Sequence, residues 1–136
     1  MPPPPVPPEL DTFLHRPNHA VVGTLRADGS PHTVPSWYDW EEGRALLSLD
    51  ESRLRLGFIR RDPRVALTVL DHKDWSRHVS LLGRIVSIEE DVDLHDIDRL
   101  ALRYTGKRFR TRDRRRFSTW LARSRPGTLG TVPFRG

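Results

Sequence analysis

One stretch decides the fold: Ser52–Val69, which reads SRLRLGFIRRDPRVALTV. Its first half predicts a short helix, Ser52–Arg61, which ends at Asp62-Pro63 because a residue before proline disfavours helical geometry. Its second half predicts a strand over Arg64–Leu70, and the central apolar run indicates burial on both faces. A guanidinium group on a helix beside a strand edge can bind two oxygens of a phosphate at the same time. The stretch therefore indicates a phosphorylated small-molecule cofactor.

Three strands are predicted before this helix, joined by short turns. Ala20–Arg26 and His32–Trp40 flank the dipeptide Asp28-Gly29, which is typical of a tight hairpin. Pro35 interrupts the second of these strands and indicates an edge or an irregularity there. A further turn leads to the third strand, Arg44–Leu49. The order of these segments predicts an antiparallel meander.

One long strand and one helix are predicted after Leu70. Arg77–Ile88 has the composition of a strand, and Gly83 in its middle indicates a bulge or a close backbone approach. Acidic residues then crowd the start of a helix whose apolar residues recur at helical spacing as far as Tyr104. Gly106 follows as a plausible C-cap.

Residues 107–125 are strongly basic and contain eight arginines. A loop followed by a short helix is predicted there, because three apolar side chains are spaced i, i+3 and i+4: Phe117, Trp120 and Leu121. A last strand is predicted over Thr128–Phe134. Arginines interleaved with aromatic residues can bind nucleic acid. Because the apolar spacing favours inward packing, nucleic-acid binding is not the expected role.

Composition limits the class of protein. The 136 residues form one expected domain over 9–136, preceded by a mobile proline-rich N-terminus over 1–8, and Glu9–His15 is predicted as a short helix. The chain has no cysteine, which excludes disulfides and thiolate chemistry. Its six histidines show no metal-ligand spacing. It has no apolar run of membrane-spanning length and no secretory signal, so we expect a cytoplasmic protein.

Five or six short strands with turn signals and a few helices predict an α+β fold around a small antiparallel barrel. The ordered set of motifs resembles the pyridoxamine 5'-phosphate oxidase-like split β-barrel family, FMN-binding split-barrel type, in its flavin/deazaflavin (F420)-dependent oxidoreductase branch. The resemblance covers about Leu10 to Tyr104. The motifs that carry it are Thr24-Leu25-Arg26, Asp28-Gly29-Ser30-Pro31-His32, Val34-Pro35-Ser36-Trp37, Arg60-Arg61-Asp62-Pro63-Arg64-Val65 and Gly83-Arg84.

The resemblance implies a homodimer that binds its cofactor in a groove between the subunits. It places the phosphate on Arg53 and Arg55, with Ser48 as a further contact and Arg60 within reach of the same helix face. It places the ring system against the second strand, at Pro35, Ser36 and Trp37, and the partner subunit's contribution at Trp75, Ser76 and Arg77. Phe58 departs from the family, whose members often carry asparagine there.

The implied activity is hydride transfer from reduced F420 to an activated C=C bond of a small organic substrate. No catalytic side chain is assigned, because hydride chemistry belongs to the cofactor. Two alternatives stay open: an FMN-binding oxidoreductase of the same fold, and a non-enzymatic cofactor carrier or nucleic-acid-binding module. The phosphate contacts do not separate F420 from FMN, because both carry a phosphate on a similar chain. The sequence does not identify the substrate.

Overall fold

The computed structural model describes residues 6–124, so the strand expected over Thr128–Phe134 lies outside the described residues. Seven strands form one antiparallel, curled sheet in the order β2-β1-β5-β6-β7-β4-β3, which confirms the α+β barrel-type fold. Within residues 6–124, no helix combines the length and apolarity needed to cross a membrane. The elements are α1 Pro8–His15, β1 His19–Leu25, β2 Pro31–Ser36, β3 Asp39–Glu41, β4 Arg44–Asp50, α2 Leu54–Arg61, β5 Arg64–Leu70, β6 His78–Glu90, α3 His95–Thr105 and β7 Arg116–Arg123.

The core lies on the concave side of the sheet. Alternate side chains of the central strands point into it, among them Leu67, Val79 and Leu121. Helix α2 packs across β1 and β4 and adds Leu56 and Ile59 to this core. Because its apolar face is directed inward, its arginines are left at the surface and at the edge of the sheet.

The predicted meander is wrong, because the second predicted strand divides at Trp37 and Tyr38. Its first part, β2, pairs with β1 at one edge of the sheet, whereas β3 and β4 form a separate hairpin that pairs with β7 near the other edge. Tyr38 is fully buried and donates its hydroxyl to Leu14 O at 2.7 Å. The buried tyrosine holds the chain where it crosses from one edge of the sheet to the other.

Strand β5 has the predicted bounds but not the predicted burial. Val65, Leu67 and Val69 are buried, whereas Ala66 on the opposite face is exposed and Thr68 is half-buried. A run of apolar residues does not distinguish a strand covered on both faces from one whose outer face carries small side chains. The outer face of β5 is therefore available in the single chain.

Residues 116–123 form strand β7, so the short helix predicted there is wrong. β7 pairs with both β4 and β6, and Phe117, Thr119 and Leu121 point into the core. Its other face is covered by α3, where Ser118 Oγ donates to Asp96 Oδ2 at 2.6 Å. A strand covered on both faces lacks polar alternation, so its apolar residues can imitate helical spacing.

Gly83 lies where the backbones of β6 and β7 come close together, and a close backbone approach is one of the two roles predicted for this glycine. A Cβ at residue 83 would stand 2.2 Å from Ala122 O, which is a backbone atom. We expect Gly83→Ala to lower the free energy of unfolding by about 2 kcal/mol, because the strands must separate. Urea denaturation measures this, and Gly57→Ala is the matched control, since a Cβ there meets nothing within 4 Å. Equal stabilities of the two variants would contradict the prediction.

Candidate functional site

A groove of about 780 Å³ lies between β2, the β4–α2 junction, α3 and the segment before β7. A volume of this size suits an organic cofactor. One end of the groove is rich in arginine and another part of its wall is aromatic. Its lining residues are His19, Ala20, Pro35, Ser36, Trp37, Ser48, Asp50, Arg53, Arg55, Ile97, Leu100, Tyr104, Thr105, Phe109, Thr111, Arg114 and Arg116.

Four arginines gather around one carboxylate at the charged end. Arg53 Nε lies 3.3 Å from Asp50 Oδ2, and Arg116 Nη1 lies 3.6 Å from the same oxygen. Arg114 Nη1 lies 3.8 Å from Oδ1, and Arg55 lines the same end. We call these four residues the arginine cluster. Four guanidinium groups and one carboxylate leave three net positive charges, which suits a phosphate or a larger polyanion.

Asp50 organises this cluster from the end of β4. Its Oδ1 accepts hydrogen bonds from the backbone N of Ser52 at 2.8 Å and from the Ser52 hydroxyl. Burial alone would raise the pKa of Asp50, but the bonds from Ser52 and the charges of Arg53 and Arg116 lower it below its usual value. Asp50 is therefore ionised at neutral pH. Because Ser52 belongs to the turn that Asp50 forms, α2 begins at Leu54 and not at the predicted Ser52.

Arg55 differs from the other cluster arginines. It makes no hydrogen bond or close ion pair with any described residue, whereas Arg53, Arg114 and Arg116 all approach Asp50. Burial and the charge of Arg53 lower the pKa of Arg55, yet a guanidinium remains protonated at neutral pH. The charge of Asp50 favours the protonated form of Arg55 from a distance, but Arg55 has no close ion pair, and a half-buried cation of this kind favours an external anion as its partner.

Three aromatic rings form the wall beside the cluster. Trp37 and Tyr104 stack with centroids 5.6 Å apart and planes 6° apart, and Phe109 meets Trp37 edge-on at 6.1 Å. Arg116 joins this wall to the charged end, because its guanidinium lies 4.8 Å from the Phe109 centroid and its Nε donates to Ser48 Oγ at 3.1 Å. A flat apolar surface next to an anion site suits a planar ring system that carries a phosphate.

The structure brings together six of the ten site residues predicted from the sequence. These six line the groove: Pro35, Ser36, Trp37, Ser48, Arg53 and Arg55. Ser48 faces Arg116, Pro35 and Ser36 end the edge strand β2, and Trp37 follows it. Their contact with a cofactor remains a prediction.

The other four predicted residues lie outside the described lining of the groove. Arg60 places its guanidinium 5.0 Å from the Phe117 ring centroid. Trp75, Ser76 and Arg77 form an exposed loop before β6, in which Ser76 Oγ donates to Asp74 Oδ1 at 2.7 Å. Their role as a contribution from a partner subunit remains a prediction.

Phe58, which the resemblance implies is a departure from the family, also lies outside the described groove lining. Its ring meets His32 edge-on at 5.5 Å, on the side of α2 that faces β2. Arg61 places its guanidinium 5.9 Å from the Phe58 centroid. Phe58 therefore packs on this side of the helix, away from the described groove lining.

Sequence reasoning missed Arg114 and Arg116 as individual site residues, as well as Asp50, Tyr104 and Phe109. Arg114 and Arg116 lie in a run of three arginines, which marks a basic segment but shows no strand periodicity. Asp50 followed two residues later by Ser52 has the pattern of a side-chain turn. Both signals are present in the sequence, but neither reveals which strand lies beside the cluster.

The basic segment before β7 is held by acidic partners. Arg112 Nη1 lies 2.8 Å from Asp98 Oδ1, and Arg108 Nε lies 3.4 Å from Asp98 Oδ2. Arg115 Nη2 contacts Glu90 at 2.8 Å. This pairing supports a structural role for the segment and reduces the charge that a nucleic acid would meet.

Asp98 is expected to make stability depend on acid pH. Hydrogen bonds from Arg112 lower the pKa of Asp98 to about 2. Desolvation opposes this shift, and a hydrogen bond from the Phe109 backbone N–H adds to it. Because the folded pKa lies below the unfolded value, this contribution to stability is complete above about pH 4 and is lost as pH falls toward 2. We expect Asp98→Asn to be less stable than wild type at pH 7, with the difference shrinking toward pH 2 in thermal melts. Asp93→Asn is the exposed control, and a difference independent of pH would contradict the assignment.

Among residues 6–124, no group of three or more histidine, aspartate or glutamate side chains could hold a metal ion. The groove instead offers arginines, hydroxyls and aromatic rings. This set of side chains fits the phosphate and ring of an organic cofactor.

A family model described as pyridoxamine 5'-phosphate oxidase matches residues 6–122. Among solved structures, an F420 reductase is 23% identical over 88% of this chain and 96% of its own, with a TM-score of 0.80. The conserved hypothetical protein Rv2991 from Mycobacterium tuberculosis is 22% identical over 90% and 82%, with a TM-score of 0.69. HupZ from Group A Streptococcus is 14% identical over 97% and 100%, with a TM-score of 0.65. None of the curated proteins compared with the chain matches it significantly.

Proposed function

This chain belongs to the pyridoxamine 5'-phosphate oxidase family, and from that premise we propose that it is an oxidoreductase that uses coenzyme F420, with FMN as the alternative cofactor. The observation that carries the proposal is the arginine cluster beside the aromatic wall of one groove. Family membership supports flavin-type binding or chemistry. The likeness to an F420 reductase, at 23% identity, supports the fold on which this binding would take place.

The cluster carries more positive charge than one phosphate group needs. Arg53 and Arg114 are more than half exposed, whereas Arg116 is buried. The buried and half-buried arginines would bind the phosphate, and the exposed pair would remain free to attract further acidic groups. The acidic tail of F420 supplies such groups and FMN does not, which favours F420.

Each part of the groove has a separate task in the proposed reaction. Arg55 and Arg116 would hold the phosphate, while Pro35, Ser36 and Trp37 would bind one side of the ring system. Reduced deazaflavin, when bound, supplies a hydride to an electron-poor double bond of the substrate. The aromatic wall would exclude water from that contact and leave one ring face open for a small organic substrate.

Cofactor titration tests the proposal. The purified protein is titrated with F420, FMN and the phosphate-free forms of both, and binding is followed by fluorescence. Submicromolar binding of F420, much weaker binding of its phosphate-free form and turnover of reduced F420 with an activated alkene would support the proposal. Tight FMN binding that F420 does not displace would favour the alternative cofactor. Failure of both cofactors to bind would overturn the proposal.

The homodimer is also a proposal, supported by the outer face of β5 and β6. Ala66 and Leu82 are paired and exposed there, and Val86 is exposed further along β6, beyond the exposed Arg84. The Thr68 and Ser80 hydroxyls bond to each other at 3.1 Å, so this pair adds no charge to the face. A second copy on this face would bury apolar area that water otherwise covers.

A charge on this face tests the dimer. We expect Leu82→Asp to convert a dimer into a monomer in size-exclusion chromatography with light scattering, because the carboxylate would be buried without a partner. Leu102→Asp is the matched control, since Leu102 on α3 is 51% exposed and Leu82 is 52% exposed. A monomeric wild type, or a dimeric Leu82→Asp variant, would contradict this assignment.

A further inference from the structure

A second cavity lies inside the barrel, behind the arginine cluster. Its volume is about 10 Å³, and apolar side chains such as Val22, Leu49 and Ile59 make up most of its wall. Thr24, Thr119 and Arg55 contribute its polar groups. This volume is about what one water molecule requires, and a water in such a site needs two or more polar partners.

Two polar atoms at this cavity have unmet hydrogen-bonding capacity. Thr24 is 2% exposed, and its Oγ1 has no hydrogen-bond partner among the described residues. Arg55 Nη1 is also buried and has no partner within the same part of the chain. Thr119 donates its hydroxyl to Leu47 O at 3.0 Å, so its oxygen can still accept a bond. Buried polar groups are normally satisfied by protein or by ordered water.

Arg55 connects the two cavities. Among the described residues, it is the one that lines both the groove and the interior cavity. Its Nη1 is closed to solvent, as an atom beside the interior cavity would be, and the residue as a whole is half-buried. A guanidinium is planar, so a bond that fixes one nitrogen orients the other two.

We propose that the interior cavity binds one water molecule that accepts a hydrogen bond from Arg55 Nη1 and donates to Thr24 Oγ1 and Thr119 Oγ1. Thr24 is then a positioning residue that acts on the groove through Arg55. The bridge turns the outer edge of the guanidinium toward the groove before an anion arrives, which lowers the entropy lost on binding. This inference rests on the proposed function, because the anion is the cofactor phosphate.

Isosteric replacement of Thr24 tests the bridge. Thr24→Val keeps the shape and removes the hydroxyl, and Thr24→Ser keeps the hydroxyl. We expect Thr24→Val to weaken binding of the phosphate-bearing cofactor about 5- to 10-fold and to leave binding of its phosphate-free form unchanged. Thr24→Ser should stay within about 2-fold of wild type, and Thr24→Val should add nothing in an Arg55→Met background.

The outcomes separate this inference from the proposed function. If Thr24→Val weakened binding of both cofactor forms equally, the effect would be a general structural one and the positioning role would be overturned. Unchanged binding by Thr24→Val would also overturn the positioning role. A wild type that binds neither cofactor would defeat the proposed function. A high-resolution crystal structure tests the water bridge independently. Electron density for a water within hydrogen-bond distance of Thr24 Oγ1 and Arg55 Nη1 would support the bridge, and a cavity without water would overturn it.

Discussion

Replacing Arg55 with methionine lowers the affinity for a phosphate-bearing flavin or deazaflavin by about 100-fold and leaves the phosphate-free form bound as before. Arg55 is the cluster arginine without a hydrogen bond or close ion pair to a described residue, so its guanidinium is available to the phosphate. Charge-assisted bonds of this kind contribute about 1.5–3 kcal/mol, which corresponds to ten- to a hundred-fold or more in Kd. Methionine keeps the length and the apolar stem, so the packing of this stem is retained.

Arg61→Met is the control for this experiment. Arg61 lies on the same helix, places its guanidinium beside Phe58, and stands outside the described groove lining. Both variants remove one positive charge, so a non-specific electrostatic effect would weaken binding equally in both. Titration at two salt concentrations adds a second check, because attraction from a distance is screened and direct contact is screened less. Equal losses in the two variants would refute a specific contact at Arg55.

Replacing Arg103 with methionine lowers the free energy of unfolding by about 3–5 kcal/mol. Arg103 donates to the carbonyl oxygens at the end of α1, with Nη1 to His15 O and Nη2 to Arg16 O, both at 2.6 Å. Its Nε donates to Tyr38 O at 2.9 Å, and Nη1 lies 3.3 Å from Asp39 Oδ1. The side chain is 13% exposed, and its removal breaks several charge-assisted bonds at once, although Asp39 keeps its ion pair with Arg99 at 2.7 Å.

Chemical denaturation followed by tryptophan fluorescence measures this loss. Arg108→Met is the control, because Arg108 makes a 3.4 Å ion pair with Asp98 and its side chain is 70% exposed. An exposed pair contributes at most about 1 kcal/mol. If Arg103→Met is no less stable than Arg108→Met, then the guanidinium does not join α1 to the Tyr38 crossing as the structure indicates.

Local patterns were sufficient where an element depends on neighbouring residues. The Asp28-Gly29 turn, the end of α2 before Pro63 and the left-handed Gly106 cap all occur where the sequence predicts them. The acidic residues before α3 also stabilise the start of the helix as expected, since Asp91 accepts a hydrogen bond from the backbone N of Ile97 at 3.0 Å. Turn and capping preferences act over a few residues, so they can be predicted from the sequence without knowledge of the fold.

Elements whose neighbours are distant in sequence were predicted less well. Trp120 and Leu121 imitate helical spacing because β7 is covered on both faces, by the core and by α3. Arg114 and Arg116 follow Arg53 by about sixty residues, and β4–β7 pairing brings them to the same carboxylate. Strand pairing at that separation is decided by the packing of the whole sheet.

The sequence by itself determined the α+β class, the order of most elements and the family, whereas a phosphate site on the helix at 52–61 stays a prediction. The tertiary structure decided which side chains meet in that site. It placed Arg116 beside Ser48, added Asp50 as a shared counter-ion and left Arg55 without a close ion pair. A motif specifies residues along one segment, whereas the charge balance of a groove depends on every strand that reaches it.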